Sequence, residues 1–205
     1  MRAPRLRRSW IPLTAAASAL AAVVALVAAP GAAGAATTPV WTAAPMCAAA
    51  TPGHRACHGL RLVRATPAQA ARLGTVASVA RPALADGPAG GYAPTDLAKA
   101  YGLNVNAPAA ASQTVAIIDA FDDPSVKTDL AVFDTQNGIA AETGTSFRVV
   151  NQDGNASPLP TADTGWAGEI TLDVQAVRGI CRRCKILLVE ADSASDTDLA
   201  TAVNT

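Results

Sequence analysis

From Thr114 onward, short apolar runs alternate with amphipathic stretches, and that alternation limits the fold more than any other feature of the chain. Thr114–Asp119 (TVAIID) reads as a buried strand. Ser125–Gln136 follows with Val126, Leu130 and Phe133 on one helical face. Phe147–Asn151 (FRVVN) is a second strand, and Trp166–Ile180 a helix with Ile170, Val174 and Val177 at helical spacing. Lys185–Ala191 (KILLVEA) is a third strand, and Asp196–Asn204 opens another helix. Strand–helix repetition of this kind predicts an α/β fold, a parallel sheet with crossover helices, because parallel neighbours cannot be joined by a tight hairpin. The last strand is expected to be an unpaired sheet edge. Upstream, Leu60–Val63 reads as a short strand and Pro67–Leu73 as a short helix. Gly87 to Gly91 reads as a linker, and Thr95-Asp96 as the cap of a helix ending at Tyr101.

The charges are divided along the chain. The net charge is zero, yet residues 37–85 hold five arginines and no acid, while residues 86–205 hold all 16 acidic residues. An acidic half of this kind does not fit a nucleic-acid binder, which needs a basic face. Opposite fields are expected to dock the basic segment on the acidic remainder. Ahead of both, Arg2, Arg5, Arg7 and Arg8 precede an apolar run, Leu13 to Ala29, closed by Pro30 and small residues. This is the order of a secretory signal cleaved near residues 33–36. The expectation is a secreted, extracellular chain with no membrane attachment after cleavage.

An even number of cysteines in an exported chain favours disulfides. The local pairing, Cys47–Cys57 with Cys181–Cys184, keeps each bridge within its own region. Zinc is the rival for the first pair, where His54 and His58 lie near. Redox chemistry is the rival for Cys181-Arg182-Arg183-Cys184, but there the C-x-x-C follows a helix and opens a strand. Thiol activation needs the opposite polarity.

Glu169 and Asp173 are four residues apart on one helix, which puts both carboxylates on one face with Cβ atoms about 5–6 Å apart. Two acids so placed can share a proton and let one act as a general base. They can equally be a solvated helix face. Asp119 ends the first strand at its carboxyl edge, where α/β sites gather; it is a possible site neighbour.

The stretch Gly165-Trp166-Ala167-Gly168-Glu169-Ile170-Thr171-Leu172-Asp173-Val174-Gln175 resembles the catalytic helix of the sedolisin family, serine peptidases on a subtilisin-like fold. Ala93 to Leu103, Thr114 to Asp119 and Ile180 to Ala191 resemble that domain's entry, its first strand and the strand after the catalytic helix. The resemblance implies a serine-type endopeptidase acting on polypeptides in acid. Glu169 would be the base for a serine nucleophile and Asp173 its hydrogen-bonded partner. The residues themselves give a signal at 1–36 and a short basic pro-segment and linker at 37–90; the resemblance, over about residues 90–205, implies the N-terminal part of a peptidase domain at 91–205. The family's serine, oxyanion aspartate and calcium site would lie beyond residue 205, so no cofactor is expected within the chain and no activity from these residues alone. Gly144-Thr145-Ser146 imitates the family's serine motif, but it opens a strand and precedes the Glu/Asp helix. Ser193 and Ser195 have no adjacent base. The alternatives are a non-catalytic exported domain on this scaffold, or a subtilisin-type hydrolase using Asp119.

Overall fold

The computed structural model describes residues 39–73 and 91–205; the signal expected at 1–36 and most of the Gly87–Gly91 stretch expected as a linker lie outside them. The first elements are β1 (Val40–Pro45) and β2 (Leu60–Ala65), an antiparallel pair, and α1 (Pro67–Arg72). Thr66 caps α1 in a reciprocal box with Gln69. After the linker come α2 (Pro94–Tyr101), β3 (Thr114–Ala120), α3 (Val126–Gln136), β4 (Phe147–Asn151), α4 (Thr164–Ile180), β5 (Lys185–Ala191) and α5 (Asp196–Asn204). Helix α2 starts one residue before the expected cap. Asp96 sits inside its first turn and accepts from the Ala93 amide at 2.8 Å, so it serves a backbone donor from the third helical position.

Strands β3, β4 and β5 form a parallel sheet in the order β3-β5-β4. The expectation of an unpaired edge at Lys185–Ala191 is therefore corrected: β5 is the central strand. The Ile-Leu-Leu-Val run is the reason. A strand apolar at every position must be covered on both faces, and in a parallel sheet that is the mark of an interior strand. Ile186 and Leu188 point to one side with Ile117, Phe147 and Val149, against Val126 and Leu130 of α3 and Ile170 and Val174 of α4. Val189 and Ala191 point to the other side with Val150, against Ala202 of α5. Each fully buried Leu, Ile or Val contributes about 1.5–3 kcal/mol of apolar transfer.

The end of α4 is tied to the layer beside it by one side chain. Arg178, 4% exposed, meets Asp134 of α3 at 3.0 Å and Glu142 at 2.8 Å, and donates to the carbonyls of Arg182 and Ala140. Cys181–Cys184 closes the α4-to-β5 corner immediately after it. Cys47–Cys57 forms as well, and no cysteine among the described residues is free for a metal or for redox work.

Removing one member of a buried ion pair leaves the other charge uncompensated. Arg178→Ala is expected to cost about 3–5 kcal/mol in urea unfolding. An Arg178→Met, Asp134→Leu double variant should recover part of that loss, since it removes the more deeply buried of the two stranded charges and leaves Glu142.

Candidate functional site

Three carboxyl groups meet at the carboxyl edge of the sheet, on the side that faces α3 and α4. Asp119 follows Ile117 by two residues on β3, so its side chain points the same way, and it is 3% exposed. Glu169 and Asp173 lie one turn apart on α4, both half-buried, with Ile170 and Val174 beneath them in the core. The structure thus brings together the two acids on the helix and the one on the strand. Helix α4 is launched by Asp163, whose carboxylate accepts from the amides of Gly165 and Trp166 at 2.9 Å. That cap fixes where the first turn begins and hence which face carries residues 169 and 173.

The electrostatics follow from burial and crowding. Burial first, and then the nearby Asp173 and Glu169 carboxylates, push the Asp119 carboxyl up to about 7. Asp173 is also raised, first by burial and then by Glu169. Asp119 Oδ2 and Glu169 Oε2 are buried without a hydrogen-bond partner, while Glu169 Oε1 accepts from the His58 amide at 3.3 Å. The expected hydrogen bond between Asp173 and Glu169 is not among those the described residues make; their carboxyls interact through charge.

A second set of acids, which the sequence pattern did not single out, extends this edge. Glu190 lies opposite Asp119 in the β3–β5 register and is fully buried. Burial and the Asp122 carboxyl raise it, and both of its buried carboxyl oxygens lack a hydrogen-bond partner. Asp123 accepts from Thr171 of α4 and from Ser125, each at 2.9 Å, and so is satisfied. Its neighbour Phe121 has φ 64° and packs on Trp166 with ring centroids 6.5 Å apart. Non-glycine residues in that region are strained and gather at functional edges. The signal for Glu190 was in the sequence: it is in phase with Ile186 and Leu188 and directly follows the apolar run Ile186 to Val189. Among the described residues no group of three or more His, Cys, Asp and Glu side chains is arranged to hold a metal ion.

The serines considered as nucleophiles are all engaged elsewhere. Ser146 Oγ bonds Glu142 and Thr143. Ser193 Oγ donates to Asp198 at 2.5 Å, and Ser195 Oγ caps α5 through the Asp198 amide. Among the described residues no serine hydroxyl hydrogen-bonds Glu169 or Asp173. Neither histidine ring hydrogen-bonds Asp119. A cleft of about 310 Å³ lies next to the carboxyls rather than around them, between residues 46–56 and the start of α4, lined by Met46, Arg55, Phe121, Asp163 and Trp166.

No family model, curated protein or solved structure matches the chain.

The raised carboxyls make folding pH-dependent. Asp119 binds its proton more tightly folded than unfolded, so its stabilising effect is complete below its ordinary value of 3.8 and is lost as the pH rises through about 7. Glu190 acts in the same direction. The urea midpoint is expected to fall between pH 4 and pH 8, and Asp119→Asn should flatten that slope.

Proposed function

We propose that this chain is the N-terminal part of an exported serine-type endopeptidase of the sedolisin kind, on an incomplete subtilisin-like version of the α/β fold, cutting polypeptides in acid. The observation that supports the reading best is the convergence of Glu169, Asp173 and Asp119 at one sheet edge, with two of the three raised. An acidic proton-sharing cluster suits a base that must be partly ionised at low pH. Buried next to an apolar layer, the cluster is held in place by α4 and β3, which are rigid elements.

In this reading Glu169 takes the proton of a serine hydroxyl as the serine oxygen attacks the peptide carbonyl carbon. The carbonyl π electrons move to oxygen, the tetrahedral adduct collapses, and the C–N bond breaks. The departing amine takes the proton back from Glu169. Asp173 and Asp119 are positioning residues: they keep one proton near Glu169 and set the pH at which it is free to accept another. By the resemblance the serine and the groups that would bind the carbonyl oxygen lie beyond residue 205; the engagement of Ser146, Ser193 and Ser195 with other partners is in keeping with that. Residues 1–205 alone are then expected to be inactive.

The test is a longer version of the chain that includes a serine-bearing C-terminal half. Glu169→Gln should lower turnover by about 10²–10⁴-fold, the usual range for loss of general base catalysis, with the urea midpoint unchanged. Asp173→Asn should lower turnover less and move the acid limb of the pH profile. Wild-type turnover in Glu169→Gln would overturn the assignment. Peptidase activity in residues 1–205 alone would overturn the need for a further serine.

A further inference from the structure

The two ends of the parallel sheet carry opposite charge. The segments that leave its strands, 121–125, 152–163 and 192–195, hold five acids and no base. The segments that enter them, 102–113, 138–146 and 181–184, hold Arg182, Arg183 and a single acid, Glu142, which is bound to Arg178 at 2.8 Å. We infer that a cavity at this basic, amino-terminal end of the sheet is a binding site for a phosphate group, free or as the terminal ester of a larger molecule. The inference does not rest on the peptidase reading.

Strand register puts the lining in place. Thr114 of β3 pairs with Lys185 of β5, and Arg148 of β4 pairs with Leu187 of β5. Residues 185 and 187 share one face of their strand, so these four side chains lie on the side away from Ile186 and Leu188. Helix α5 covers that side, but it packs on Val150, Val189 and Ala191, in the carboxyl half of the sheet. The amino half is left open. A cavity of about 320 Å³ lies there, lined by Thr114, Gly144, Thr145, Arg148, Lys185 and Leu187.

The chemistry of the lining selects the ligand. Arg148 and Lys185 are exposed, and neither makes an ion pair or a side-chain hydrogen bond among the described residues. Two like charges on one concavity repel, and a ligand carrying several negative oxygens relieves that repulsion by meeting both. A guanidinium offers paired N–H donors and an ammonium a compact charge, a combination suited to phosphate oxygens. The hydroxyls of Thr114 and Thr145 add neutral donors. Arg183, exposed on the turn just before Lys185, adds to the positive field without a counter-charge in the same turn. Since Thr114, Arg148 and Lys185 come from three different strands, one bound group would tie the starts of all three together. The site lies about 17 Å along β5 from the buried Glu190, at the rise of an extended strand, and so is separate from the carboxyl cluster.

Calorimetric titration of the full chain with sodium phosphate, against sodium chloride at equal ionic strength, tests the site. Phosphate should bind at one site and raise the thermal midpoint, and chloride should do neither. Arg148→Gln and Lys185→Gln should each weaken phosphate by about tenfold or more, the loss for one hydrogen bond to a charged group. Arg61→Gln, which changes an exposed arginine of β2, should leave the affinity unchanged. The arginines of residues 2–8 are the same in every variant, so differences between variants report the cavity. Phenyl phosphate separates the two sources: tighter binding than inorganic phosphate assigns the site to an ester, and equal binding assigns it to the free ion. If Arg148→Gln lowers the urea midpoint, Arg148→Lys, which keeps the charge and loses the fork, decides by a weaker affinity in a folded chain. A response to phosphate no different from that to chloride would overturn the site. Unchanged affinity in the cavity variants would do the same, as would an equal loss in Arg61→Gln.

Discussion

Burial of β5 on both faces is the constraint from which the rest of the structure follows. Ile186 and Leu188 require α3 and α4 on one side; Val189 and Ala191 require α5 on the other. Those demands place the strand between two parallel neighbours, whose crossover helices supply the cover. The same geometry carries a cost at the strand's end. Glu190 continues the apolar face of Leu188, and Asp119 is its register partner on β3, so two carboxyls lie where water is scarce. Desolvation keeps protons there, and the helix above adds Glu169 and Asp173 to the same small volume. The acidic edge is thus a by-product of the layer that makes the fold possible.

The regular part of this architecture was legible in the sequence because it rests on period. Val126, Leu130, Ile170 and Val174 are buried as their helical spacing requires, and α3, β4, α4, β5 and α5 lie within two residues of where their patterns begin and end. The order of strands was not legible. Nothing local in Lys185–Ala191 says which neighbour lies on which side, although its uninterrupted apolar run argues against an edge. The first half of the site was legible from the spacing of Glu169 and Asp173, and Asp119 from its place at a strand end. Glu190 was visible only as an acid in phase with buried leucines.

The contact of His58 and Gly59 with Glu169 was out of reach for a different reason. It joins residues more than a hundred positions apart through a backbone amide, which carries no side-chain signature. Charge division did point to an association between the two segments, but the forces that hold them are main-chain bonds and apolar burial. A residue count of charges reads the field at a distance. It does not read the surface where two segments touch, and there the glycines of α4 and Gly59 decide how closely they fit.

The sheet order has a consequence for how the chain reaches its native state. Strands β4 and β5 are paired across roughly forty residues, whereas β3 and β5 are paired across roughly seventy, and loop closure grows harder with each residue enclosed. The unit β4–α4–β5 is therefore the natural seed of assembly, with β3 arriving later. Until β3 docks, one flank of the central strand is bare, and Asp119 has not yet joined Glu190. The protons held at that edge are then acquired in the last stage of assembly, so an acidic medium would speed the step in which the sheet is completed.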